Sequence, residues 1–197
     1  MNAEDSQKEY LRVSLASGRD AIMSRLDGLS EFDMRRPMTR TGTNLLGLVK
    51  HLIGMEATYL GENFGRPFPE PLPWYEGGRG WDNEDMWATT YEPSSFILDL
   101  YRRACSHSDA TIASHALDAI GTSNGDGHEM TLLKGIVTVL GETYRHGGHA
   151  DIVRELVDGR VGANGDDTLL PYASDDDNAW GAYVAKLTEA ADHFRSM

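Results

Sequence analysis

A chain of 197 residues that is 40% hydrophobic is long enough to bury a sizeable core, and we expect a single domain over residues 1–197. Its 31 acidic and 18 basic residues give a formal net charge of -13, which excludes the basic surface of a nucleic-acid binder or of a protein held on anionic membranes. Cys105 is the sole cysteine, so no intrachain disulfide can form. The polar N-terminus and the lack of a long apolar run predict a cytoplasmic protein with neither signal peptide nor membrane span.

The first part of the chain has the periodicity of two amphipathic helices. Apolar residues recur at mostly three- and four-residue intervals over residues 5–29, and Gly28 marks the end of the first helix. A second helix is predicted to begin after Thr43 or Asn44, either of which can cap it, and to run to about Phe64. Its apolar stripe consists of Leu45, Leu48, Leu52, Met55 and Tyr59.

Residues 65–92 combine four prolines with three tryptophans, Trp74, Trp81 and Trp87. A linker between domains is rarely so aromatic, so we expect an ordered loop that packs over one end of the domain. This loop either shapes a pocket or is a surface loop anchored by its tryptophans.

Two more long helices are predicted in the second half of the chain. Ser94 or Ser95 can cap a third helix that runs to about Leu117. A segment rich in glycine, residues 121–127, separates it from a fourth helix over about 130–157.

A last helix is predicted around residues 180–191, after another loop. No stretch of the chain alternates in the manner of a convincing strand. The pattern therefore predicts an all-α fold, a four-helix bundle with an extra C-terminal helix and long ordered loops.

The fourth helix carries a carboxylate and two imidazoles on one face. At 100° per residue, Glu142, His146 and His149 fall within roughly 60° of one another. His51 borders the apolar stripe of the second helix and points inward, where side chains of facing helices converge. An inward carboxylate at Glu142 needs a cation, because burying an unpaired charge is costly. These residues are therefore candidate metal ligands.

Two imidazoles and one carboxylate suit zinc, nickel or ferrous iron better than magnesium or calcium, which prefer oxygen ligands. Three protein ligands leave a position for water or substrate. Such a metal lowers the pKa of a bound water toward ~7 and can deprotonate a coordinated thiol. Because a Glu and a His four residues apart also occur by chance on solvated helices, a bundle without metal stays open as an interpretation.

Three segments together carry a resemblance to a known family. They are GTNLLGLVKHL at 42–52, Gly65-Arg-Pro followed by Pro73-Trp74, and ETYRHGGHADI at 142–152. With them, residues 8–160 resemble the DinB/YfiT-like superfamily, specifically its DUF664 branch. The resemblance implies a four-helix bundle with a divalent metal near one end, and relatives that include mycothiol-dependent maleylpyruvate isomerase and mycothiol S-transferases.

The resemblance separates the candidate ligands. It implies that His51, Glu142 and His146 bind the metal, and that His149 is a supporting or pocket residue outside this triad. Thr138 departs from the pattern, since several relatives carry a histidine there, and its identity argues against a proton shuttle at that position.

The function implied by the resemblance is that of a metal-dependent thiol transferase. In this hypothesis a divalent metal, zinc before nickel or iron, activates a low-molecular-weight thiol, with mycothiol as the suggested cofactor, for attack on an electrophile. Asp151 and Arg154 either bind polar parts of the thiol or, as we favour, stabilise neighbouring helices. Cys105 is interpreted as a structural residue rather than a nucleophile.

Two other functions stay open. One is a metal-dependent hydrolase, in which a metal-bound hydroxide replaces the thiolate. The other is a non-catalytic, stress-associated bundle that binds a metal or a small ligand. The partners expected are a small-molecule thiol and an electrophilic substrate, without nucleic acid or membrane, and a homodimer is compatible with the sequence.

Overall fold

The computed structural model describes residues 3–76, 80, 82–123, 127–161, 170–173 and 175–195, and helices dominate it. The helices are α1 (Ala3–Ser24), α2 (Glu31–Arg35), α3 (Leu45–Tyr59), α4 (Ser94–Ser114), α5 (Leu132–Asp158) and α6 (Asp177–Asp192). Within the described residues, short 3-10 helices cover Glu62–Phe64 and Glu84–Met86. The predicted all-α bundle is confirmed.

Side chains at the helix ends explain where two of the long helices begin. The side chain of Asn44 accepts a hydrogen bond from the Gly47 N–H at 2.8 Å, so Asn44 rather than Thr43 is the cap of α3. Thr131 caps α5 in the same way. Ser94 or Ser95 was expected to cap the third helix, but Pro93 takes that place and both serines lie in the first turn of α4.

Two small elements were not predicted. Ser30 caps the five-residue helix α2, which follows α1 directly. The strands β1 (Ile120–Thr122) and β2 (Glu129–Thr131) pair antiparallel, with Gly121 opposite Met130. The expectation of no strand was therefore wrong, because three-residue strands are too short to show alternation.

The helix α3 is the centre of the bundle. It packs against α4 and α5, and α1 packs against α5. Twelve of the fifteen residues of α3 are buried, many more than its predicted stripe. A helix buried on every side needs cover on the face away from its helical neighbours, and the segment that follows α3 supplies it.

The described parts of the 65–92 loop lie directly on α3. Asn44 Nδ2 donates to the Met86 carbonyl at 3.1 Å, and Lys50 Nζ donates to the Trp87 carbonyl at 2.9 Å. A Cβ on Gly47 would lie only 1.8 Å from the Met86 carbonyl oxygen, so this close approach requires glycine. The loop is thus fastened along the N-terminal half of α3.

The tryptophans of this loop differ in exposure. Trp74 is buried and lies 4.4 Å from the ammonium group of Lys50, whereas Trp87 is 51% exposed. Trp81 lies outside the described residues. One tryptophan therefore anchors the loop, and another lies at its surface.

The C-terminal helix that the sequence predicted is present as α6, and none of its residues is buried. Within the described residues, every helix is too short or too polar to cross a membrane.

Candidate metal centre

Three of the four candidate ligands meet between α3 and α5. One ligand atom from each of His51, Glu142 and His146 can be chosen so that all three lie within 4.8 Å of one another. His51 comes from α3, and the other two lie one turn apart on α5. Because α3 and α5 pack against each other, the bundle itself brings the three side chains together.

His146 is the most buried member of this group. It is 8% exposed, and its Nε2 lies 3.3 Å from Glu142 Oε2. Burial, reinforced by the neighbouring rings of His51 and His149, lowers the pKa of His146 to about 4. The ring is therefore neutral near pH 7, the form in which a histidine binds a metal.

The two rings of the group meet edge to face. The ring centroids of His51 and His146 are 4.9 Å apart, with 69° between the ring planes. Glu142 is the most exposed of the three side chains, at 28% against 19% for His51 and 10% for His146.

A further residue contacts His51 that sequence reasoning missed. Asp85 lies on the 3-10 helix Glu84–Met86 of the loop, and its Oδ2 is 2.6 Å from His51 Nδ1. The residue is 3% exposed. His51 and Asp85 are 34 positions apart, and no periodicity in the sequence pairs them. The available signal was an acidic residue within an aromatic loop.

His149 lies beside the group and not within it. Its Nδ1 is 3.4 Å from the Nδ1 of His146, and its side chain is exposed. This placement agrees with the expected supporting position. The role of His149 stays a prediction.

Asp151 and Arg154 both engage the end of α1. Asp151 forms an ion pair with Arg25, and Arg154 Nη1 donates to the backbone carbonyls of Arg25 and Asp27 at 2.7 and 2.9 Å. Arg154 also pairs with Asp158. These contacts hold α1 against α5, in line with the structural alternative for the two residues.

Cys105 lies on α4, away from the triad. Its Sγ is 3.9 Å from Glu56 Oε1, and burial together with the charge of Glu56 raises the pKa of the thiol well above its ordinary value. A neutral, half-buried thiol is a poor nucleophile, which supports the structural interpretation of Cys105.

The donor set fits a divalent transition metal. It offers two imidazoles and one carboxylate, and three such ligands leave a fourth position open. Ligand atoms that are each about 2 Å from one ion lie at most about 4 Å apart, so these atoms, now within 4.8 Å of one another, would draw closer around an ion. Fold and site together define a helical bundle that could hold one divalent metal between two of its helices.

The comparison with known families identifies the lineage. A family model described as Mycothiol-S-transferase matches residues 10–159, so the chain belongs to this family, within the DinB/YfiT-like group. The predicted family is confirmed. The matched region contains all three converging donors and ends before α6. No curated protein matches the chain.

Proposed function

We propose that the protein is a metal-dependent thiol S-transferase in which His51, Glu142 and His146 hold a divalent metal, with zinc first among the candidates. The observation that carries this proposal is the convergence of the three donors from α3 and α5. Membership of the Mycothiol-S-transferase family supports a thiol as the substrate and mycothiol as the thiol to test first.

The chemistry that such a metal supplies when bound is a lowered pKa for a coordinating thiol. His146 and Glu142 favour the binding of such a metal and of an anionic sulfur. The low pKa of His146 keeps its ring unprotonated, so no proton has to be displaced near pH 7. The carboxylate of Glu142 offsets one charge of a divalent ion, which leaves the group a residual charge of about +1 that favours an anionic sulfur.

The loop limits access to the group from one side. Gly54 follows His51 by three residues on α3, and a Cβ placed there would lie 2.6 Å from ring carbons of Tyr75. The half-buried ring of Tyr75 therefore rests on the backbone of α3 beside the group, where it displaces water.

In the reaction proposed here, the thiol loses its proton to solvent and its sulfur forms a bond to the electrophilic carbon of an acceptor. The leaving group departs with the bonding electron pair. In this reaction the side chains of the chain bind and orient the reactants, and none of them forms a covalent bond to a reactant.

A conjugation assay tests the proposal. Metal-loaded protein, mycothiol and an electrophilic dye should give the conjugate faster than a protein-free blank, and removal of the metal with a chelator should return the rate to that of the blank. A rate that metal-loaded protein does not raise would contradict the proposal for that thiol and acceptor. Turnover without thiol would instead favour the hydrolase, and full metal occupancy without any turnover would favour the binding bundle.

A further inference from the structure

Asp85 is a buried carboxylate whose position is fixed by its neighbours in the chain. Its Oδ2 lies 2.6 Å from His51 Nδ1, and the carbonyls of the two residues that follow it accept hydrogen bonds from Asn44 and Lys50. These bonds hold the backbone that carries Asp85 against α3, beside His51.

This contact determines which nitrogen of His51 can bind a metal. A neutral imidazole has one N–H donor and one acceptor nitrogen, whereas a carboxylate only accepts. The ring proton therefore lies on Nδ1, between His51 and Asp85, and the lone pair is left on Nε2. Without the carboxylate of Asp85, His51 would lose the hydrogen bond that favours the Nδ1–H tautomer over the Nε2–H tautomer.

The carboxylate also lacks a full set of partners. Asp85 Oδ1 is buried and accepts no hydrogen bond from the described residues. Lys50 interacts electrostatically with Asp85, but its Nζ donates to the Trp87 carbonyl and to Glu92 rather than to this oxygen. A cation at Nε2 strengthens the Nδ1–H donor, so the carboxylate and the cation stabilise each other through the ring.

We propose that Asp85 is a positioning residue of the metal centre. It holds His51 in the Nδ1–H form and presents Nε2 to the metal. The inference rests on the proposed metal centre and is independent of thiol transfer.

Metal affinity gives the first test. Co²⁺ is titrated into metal-free protein in the presence of a competing chromophoric chelator, with Asp85→Asn compared with Asp82→Asn. Asp82 is an exposed residue of the same loop, so both variants lose one negative charge. Asp85→Asn should weaken Co²⁺ binding about 10- to 100-fold, and Asp82→Asn should stay within about twofold of the parent. Equal affinities of the two variants would overturn the proposal.

The tautomer of His51 gives a second test, which needs neither metal nor a stable variant of Asp85. Imidazole ¹⁵N resonances of the metal-free parent, assigned by their loss in His51→Gln, should place the proton of the neutral ring on Nδ1. A proton on Nε2 would overturn the proposal. Parent protein that binds Co²⁺ but transfers no thiol would refute the transferase and leave this role of Asp85 intact. Equal Co²⁺ affinities of Asp85→Asn and Asp82→Asn would refute this role of Asp85 and leave the transferase intact.

Discussion

Two clusters of polar side chains in the bundle differ in how their charges are balanced. Near the seam between α1 and α4, the guanidinium group of Arg19 binds both carboxylate oxygens of Glu56 at 2.7 Å and one oxygen of Asp109 at 2.7 Å. Between α3 and α5, the carboxylate of Glu142 faces the neutral ring of His146, and its ion pair with the exposed Arg145 is long, at 3.9 Å.

The difference shows that buried polarity alone does not mark a metal site. In the first cluster the protein supplies its own cation. Burial opposes the charge on Arg19, but the adjacent Glu56 outweighs it and raises the pKa of the guanidinium. Among the described residues, the cation that pairs with the second cluster is Arg145, which is 69% exposed and 3.9 Å from Glu142. A cation from outside would complete the second cluster, whereas the first has no need of one.

The largest effect is expected from removing a donor at the second cluster. His146→Ala should lower bound metal from about one to below about 0.1 ion per chain and thiol transfer by at least about 100-fold, because two ligands cannot hold the ion. Metal analysis of untagged protein and the conjugation assay measure both. His149→Ala is the matched control on the same helix and should keep its metal. Equal metal content in the two variants would refute the triad.

The next effect concerns the first cluster. Glu56→Gln leaves the buried Arg19 with Asp109 as its remaining carboxylate partner, and should lower the free energy of unfolding by about 3 kcal/mol, measured by urea denaturation. The matched control is Asp109→Asn, whose side chain is 44% exposed and which should cost less than about 1 kcal/mol. Both variants should bind the same metal per folded chain. Metal loss in Glu56→Gln would mean that the clusters are not independent.

The smallest effect is expected at Cys105, which lines a cavity of about 520 Å³ beside the first cluster. Because burial raises the pKa of its thiol, Cys105→Ala should retain thiol transfer within about twofold. Native protein should react with an alkylating reagent much more slowly than urea-unfolded protein. If the native thiol reacts as rapidly as the unfolded one, Cys105 is more accessible than the fold indicates.

The sequence predicted much of the fold and the three donors of the candidate site, but not the carboxylate of Asp85 beside them. The i, i+4 spacing of Glu142 and His146 is set by a single helix, so their shared face follows from periodicity. The cap at Asn44 could likewise be predicted, since its side chain accepts a hydrogen bond from a backbone N–H only three residues away. The hairpin was missed because its three-residue strands are fixed by each other rather than by a pattern.

The sequence by itself therefore determined the five long helices, the absence of an intrachain disulfide and the shared face of the α5 donors. Tertiary structure alone decided two things. It buried nearly all of α3, because the 65–92 loop covers the face that periodicity left polar or small at Gly47 and Lys50. It also brought Asp85 against His51. These residues are 34 positions apart, so packing of the loop on α3, and not helical spacing, places them in contact.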